Sequence, residues 1–528
     1  MSLAFTDGRS CKDWLKAIPL TNVGQAQRTI LEAVRALNRN EFVPIERLTC
    51  MELLRDKVAF VQAEQRAKYT GKTIPLGAGD MQIWEISRAL VEEMESGYRK
   101  CFSEATAGAH DVEPHIALII QRVMRYIGLQ MLFAGMIYRR FDSGLWMRLH
   151  LQWIEAESRG LIQTKVKDSV GSVDGVSSIA AAYVAILLGQ LSNTHEMTTR
   201  QMDFTDAVMK RFATKVEFSL MPIASKSGQF LAVDLFSNTG VVVGTYTQPG
   251  DHVRFLDTSA LSKSLRGRMG KLAEGELPGN LNLPADWSPA ETLVQLTRLH
   301  KLWCEGELPR ASGVVPAETA ATLSFGLEEI HYSLTGTLFE QPGRKRELSR
   351  AELNDIAMFG KVSEATLKSL YGDAKPKTES WGIVDEGRGM LRLMRPSNSE
   401  HGLAIGKIVG VRVGAKGTWL LAAVRAVVQE TDGSLYATLG VFPGAPSAIA
   451  VRSADLRHRP GTQFFQGVRL PAVPALNVPE TLIVPSGLTQ PGRGLDVAAL
   501  GGGASQASEV TLHEFVERGL DYDRVTVF

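Results

Sequence analysis

The sequence predicts a multidomain α+β protein with an irregular helical N-terminal region, a small middle β-sheet and a C-terminal antiparallel β-barrel. Three observations predict it. Apolar residues recur at helical spacing from about Leu20 to Lys215. Short runs of β-branched and aromatic residues gather between Val216 and about Thr258. Beyond residue 376 a long succession of strand-like runs is joined by Gly, Pro and Asp turns.

The helical part, residues 1–215, shows its periodicity most clearly in "QRTILEAVRALNRN". There Ile30, Ala33, Val34 and Leu37 share one face and arginines lie opposite. "LWMRLHLQWIEAESRGL" repeats the pattern with Trp146, Leu149, Trp153 and Ala156. Large and small apolar residues on one face suit stacked antiparallel helix pairs. No fixed period recurs, so the likeness to tetratricopeptide arrays is loose. Residues 216–342 read as a mixed region. "VEFSLMPIA", "QFLAVDLFS", "VVVGTYT" and "VRFLDTS" are its strands, and a helix follows with Ser288 and Glu291 as a capping box. Residues 343–375 hold the basic stretch "GRKRELSRAEL" and a helix that Ser349 and Glu352 cap at Arg350; "GDAKPKTES" reads as a linker. Residues 376–528 carry "SWGIVDE", "GMLRLM", "IGKIVGVRV", "TWLLAAVRAVVQE", "LYATLGVF", "SAIAVRS", "TQFFQGVRL", "ETLIVPS", "RGLDVAAL" and "DRVTVF". Closing these into one small barrel removes exposed edges. "GGGASQAS" reads as a hairpin tip. Trp381, Trp419, Phe464 and Phe465 read as barrel core, and the Trp146–Trp153 stripe as helix packing.

Composition narrows the function. A chain of 528 residues with a formal net charge of +1 is not a general binder of nucleic-acid polymers. Cys11, Cys50, Cys101 and Cys304 are scattered, with no CxxC pair and no histidine at metal-ligand spacing, which fits a reduced, cytoplasmic protein with no disulfide framework. The N-terminal residues lack an apolar signal core. The apolar runs "YIGLQMLFAGMIY" and "IAAAYVAILLGQL" fall short of the roughly 20 residues that span a bilayer, so they read as core helices.

Catalytic patterns are weak. "TGKT" at Thr70 has Arg66 where a phosphate loop needs glycine, and "HEMTT" at His195 lacks the second histidine of a zinc-protease helix. No serine lies in a GxSxG elbow. Asp234, His252 and Asp257 fall on predicted strands and read as turn and edge chemistry. The arginines carry more. Four basic side chains crowd residues 343–350, and Arg346 and Arg350 stand in an RxxxR spacing. A guanidinium binds phosphate through two parallel hydrogen bonds, stacks on bases, and matches O6 and N7 of guanine. The helix start at Arg350 adds free N–H groups that favour an anion. Two such arginines ahead of a barrel suit a guanine nucleotide.

An RxxxR pair, then a strand–turn–strand with an acidic, small and glycine-containing turn, then a barrel resembles the PilZ domain. The turn here is "DEGRGM", from Asp385. "GKIVGVRV", "WLLAAVRAVVQE" and "LYATLGVFPG" are similar to PilZ strands. The resemblance covers the last third of the chain; the chain as a whole resembles long bacterial proteins with a helical N-terminal region and a divergent PilZ-like barrel. It implies binding of cyclic di-GMP through Arg346, Arg350, Asp385, Gly387 and Gly389. The family pattern [D/N]xSxxG is broken: Gly387 stands for its serine, Met390 for its final glycine, and Gly389 lies one place early. The lost hydroxyl removes a hydrogen bond of about 1 kcal/mol. A second frame pairs Arg388 with Arg392 and uses "SNSEHG", which keeps Ser399 and Gly402 but lacks the acid.

The expectation is a non-enzymatic, cytoplasmic cyclic di-GMP receptor without cofactor or metal. Its helical region meets an unidentified protein partner or forms a homodimer, and ligand at the basic stretch resets the angle between helices and barrel. The alternative is an adaptor or scaffold whose PilZ-like barrel no longer binds nucleotide.

Overall fold

The computed structural model describes residues 3–224, 228–244, 249–307, 320–342, 349–360, 363, 366, 378–387, 389–395, 401–456, 462–488, 490, 492–500 and 507–528. The chain divides into two compact units, Met1–Arg310 and Ala311–Phe528.

The first unit begins with helices α1 (Gly8–Ala17), α2 (Val23–Arg39), α3 (Pro44–Arg66), α4 (Ala78–Thr106), α5 (Ile116–Gly135) and α6 (Gly144–Ser158). A short ribbon, β1 (Val166–Lys167) with β2 (Val176–Ser177), separates them from α7 (Ile179–Leu191) and α8 (Thr199–Phe212). The α2 stripe of Ile30, Ala33, Val34 and Leu37 is buried as its spacing requires, and α4 packs against α2, α3 and α5. Trp146 and Trp153 are buried, with Trp153 stacked on Tyr183 at 4.7 Å. One apolar segment is longer than the sequence suggests. A 3₁₀ turn runs straight into α5, so Glu113–Gly135 is continuous over 23 residues, long and apolar enough to cross a membrane. Here 72% of its apolar window is buried inside the unit, so it packs as a core helix.

The middle sheet forms where the strand runs lie, as β3 (Glu217–Ser219), β4 (Phe230–Asp234), β5 (Val241–Gly244) and β6 (Val253–Asp257), in the order β3-β6-β4-β5. Helices α9 (Ser259–Ala273) and α10 (Pro289–His300) pack together after it. The Ser288–Glu291 capping box that starts α10 is present.

The second unit opens with β7 (Ala320–Phe325), α11 (Gly326–Thr335) and α12 (Arg350–Phe359). Then come β8 (Thr378–Gly387), β9 (Met390–Arg395), β10 (Ile408–Val413), β11 (Trp419–Gln429) and β12 (Leu435–Val441). The last six strands are β13 (Ser447–Ser453), β14 (Phe465–Leu470), β15 (Thr481–Pro485), β16 (Gly494–Ala499), β17 (Ser508–Arg518) and β18 (Tyr522–Val527). They close two antiparallel barrels where the sequence suggested one. The first wall runs β7-β8-β9-β12-β11-β10 and the second β13-β14-β15-β18-β17-β16. Numbered from one within each barrel, both follow the order 1-2-3-6-5-4. Helix α11 joins them: its Ile330 shares a core with Ile408, Leu421, Ala423 and Phe442 of the first barrel and Val468, Leu470, Ile483 and Tyr522 of the second.

Strand β7 changes the place of the basic stretch. Its pairing with β8 and β10 starts the first barrel upstream of residue 376, so residues 343–350 lie within the β7–β8 connection and not between helices and barrel. Helix α12 starts at Arg350, with the Ser349–Glu352 capping box in place.

Candidate ligand-binding site

The sequence-predicted site residues fall on two elements of the first barrel. Arg346 lies outside the described residues. Arg350 is the first residue of α12, exposed, and has no hydrogen-bond or ion-pair partner among the described residues. Its first-turn position also leaves N–H groups to be satisfied from outside the helix, which suits an anion there.

Asp385, Gly387 and Gly389 sit on the β8–β9 hairpin. Gly387 pairs with Met390 to close it. Gly389 occupies the turn with φ +76°, and its carbonyl accepts from the Val441 N–H at 2.7 Å, tying the tip to the end of β12. The positive φ is therefore carried by Gly389. Met390, at the position of the motif's final glycine, is a strand residue, so its side chain does not obstruct the turn backbone.

Asp385 faces Arg392 directly across the two strands. The Arg392 guanidinium lies 3.7 Å from the Asp385 carboxylate and 5.3 Å from the centre of the Tyr436 ring on β12. A bulge between Ile383 and Asp385 turns this pair relative to the regular pleat. The Arg392 side chain is 40% exposed and that of Asp385 18% exposed. An arginine that is half-solvated, held by a carboxylate and backed by an aromatic ring presents donors and a flat face to a ligand. Arg392 and Tyr436 lie beside Asp385, which the sequence motif marks together with the two glycines. The signal was cross-strand register: Arg392 faces Asp385 across a tight hairpin.

Arg395, on the same strand, is structural. It is 3% exposed, donates to Glu379 at 2.6 Å and to the His401 carbonyl at 2.8 Å, and lies over Trp381. Of the second frame, Arg388 and Ser399 lie outside the described residues.

Other sequence expectations divide. Trp381 and Phe464 are barrel core, whereas Phe465 is 44% exposed because the alternation of β14 points it outward. Asp234 and His252 meet at 4.0 Å on the surface, each 44% exposed, with His252 stacked on Phe236. Asp257 lines a separate cavity, so the three do not form one site.

Comparison with known proteins gives two matches. Residues 9–224 match a family model described as the N-terminal domain of cyclic-di-GMP receptor FimW. A Pseudomonas aeruginosa protein named cyclic-di-GMP receptor FimW is 23% identical over 92% of this chain and 85% of its own length. No solved structure matches.

Proposed function

We propose that this chain is a cyclic di-GMP receptor whose barrels are PilZ-like and which signals through protein–protein contacts. The observation that carries the reading is the similarity to a relative of that name across 92% of the chain, helical unit and barrels together. The site proposed for the nucleotide is Arg346 and Arg350 on the β7–β8 connection with Asp385, Gly387 and Gly389 on the β8–β9 hairpin, joined by Arg392. Arginines suit the two phosphates and the guanine edges, and Tyr436 behind Arg392 fixes one guanidinium plane. In the cytoplasm the nucleotide site acts as a binding module, with no chemistry on the nucleotide. Because the basic stretch lies inside a barrel connection, ligand there acts on the surface that α12 presents. Helix α12 exposes Leu353, Ile356, Met358 and Phe359.

Calorimetric titration of the full-length protein with cyclic di-GMP tests this. Micromolar or tighter binding is expected, with loss in Arg346→Ala/Arg350→Ala and weakening by tenfold or more in Arg392→Ala, each variant still melting cooperatively. Absence of heat and of any melting shift at millimolar ligand refutes the receptor reading. It then favours the adaptor reading, to which the missing hydroxyl at Gly387 points.

A further inference from the structure

The first unit holds a cavity of about 560 Å³ between the middle sheet and α9, lined on one side by Ile223, Leu231 and Leu256 and on the other by Ser259, Ser262 and Lys263. Ser262 is on the first turn of α9. Its hydroxyl lies 2.8 Å from Nε2 of His300, the last residue of α10 and only 6% exposed. On the other side of that ring, Nδ1 lies 3.4 Å from a Glu305 carboxylate oxygen. The backbone explains how Glu305 reaches it. Residues Lys301–Glu305 form a π-helical turn directly after α10. An α-helix would carry the fifth residue onward away from the ring. Widening to i→i+5 bonding brings it back under His300, and such turns recur at functional sites.

We propose that Ser262, His300 and Glu305 are a serine nucleophile, its general base and the acid that orients the base, serving ester hydrolysis in this cavity. The three residues stand in the relation such chemistry needs: hydroxyl on one ring nitrogen, carboxylate on the other. Glu305 keeps the imidazole proton on Nδ1, leaving Nε2 to accept. The Ser262 oxygen bonds to the ester carbonyl carbon while its proton passes to Nε2. The bond to the alcohol oxygen breaks, and the alcohol leaves with that proton. Water then attacks the acyl-serine, giving a proton to Nε2 that returns to the Ser262 oxygen as the carboxylic acid departs. Lys263 and Arg266 on the wall favour esters that also carry an anionic group. Cys304 also lines the cavity but is not the nucleophile, because burial pushes its thiol up to about 12.

The full-length protein is treated with a fluorophosphonate probe and digested, and the labelled peptide is identified by mass spectrometry. Hydrolysis of p-nitrophenyl acetate is followed in parallel. Label on Ser262 is expected, with ester hydrolysis falling about 100-fold or more in Ser262→Ala and in Glu305→Gln. Ser103→Ala, a serine exposed on α4 and outside the cavity lining, should keep both. No label on the wild-type protein, or label on another residue, overturns the proposal whether or not the variants fold. Unchanged hydrolysis in a folded Ser262→Ala protein overturns it as well.

Discussion

At the scale of single residues, a dense cluster of buried charges surrounds Asp168. This carboxylate, just after β1, is fully buried. It accepts from Arg55 at 2.7 Å, from Gln121 at 2.9 Å and from the Gly171 N–H at 3.0 Å, and Arg125 lies 3.3 Å away. Arg122, 1% exposed, grips Glu52 through two bonds of 2.8 and 2.9 Å and donates to the Lys167 carbonyl. A Cβ on Gly171 would lie 1.7 Å from the Arg125 guanidinium, so only glycine lets the loop close over the cluster. Burial alone would raise the Asp168 pKa, but Arg125, Arg55 and Arg122 outweigh it and hold the carboxyl below its usual 3.8. A depressed acid stabilises the fold above its unfolded pKa and loses that contribution as pH falls through the folded value. Glu52 shifts the same way from 4.5. The helical unit should therefore lose stability as pH drops below about 4.5, and Asp168→Asn should flatten that loss. At neutral pH Asp168→Asn leaves arginines buried with too little counter-charge and should cost about 3 kcal/mol in urea unfolding of the full chain. A cost under about 0.5 kcal/mol would mean that water reaches the cluster.

Among elements, the β8–β9 hairpin is where local backbone and proposed recognition meet. Gly389 holds φ +76°, and the nearest atom to an added Cβ is 3.9 Å away, so a substitution there acts through the backbone and not through a clash. Gly389→Ala should cost about 1 kcal/mol in thermal or urea unfolding. It should also loosen the register that sets Arg392 opposite Asp385, weakening cyclic di-GMP binding in calorimetry by more than the stability loss alone. Equal binding with lower stability would place the ligand elsewhere. The hairpin was legible in sequence because "SWGIVDE" and "GMLRLM" alternate around a glycine turn. Strands β7 and β17 were not. "AATLSF" is short and rich in small residues, and only its pairing with β8 and β10 makes it a strand. "SEVTLHEFVER" shows no clear strand alternation. Its outer side chains are solvated, and the one position buried to the core, Leu512, gives too faint a period to read. Missing β7 is also why the basic stretch read as a domain junction. The Ser288 and Ser349 caps were legible because a capping box is local chemistry. The Ser262–His300–Glu305 group was not. Its members come from three separate elements, and a π-turn leaves no spacing signature.

For the whole molecule, two barrels of one topology act as a single folding unit because their contact is specific as well as apolar. Arg425 on β11 of the first barrel donates to both oxygens of Glu517 on β17 of the second, at 2.5 and 2.8 Å, and the Tyr522 hydroxyl adds a bond of 2.7 Å. Asp521 accepts from the Ile408 N–H at 2.9 Å, and Ile330 of α11 lies in the core between the walls. Neither barrel alone would keep these groups satisfied or that core covered. A fragment of residues 311–528 should therefore melt in one cooperative transition, and neither residues 320–441 nor residues 447–528 should do so alone. Arg425→Ala should lower the stability of the 311–528 fragment by about 2 kcal/mol, the worth of a charged bidentate pair partly screened by solvent. The same fragment should retain cyclic di-GMP binding, since every residue proposed for the nucleotide lies within it. The 1–310 fragment should fold without binding it. Two separate transitions in the 311–528 fragment would show that the Arg425–Glu517 contact does not couple the barrels. Binding that requires residues 1–310 as well would show that the helical unit supplies part of the site.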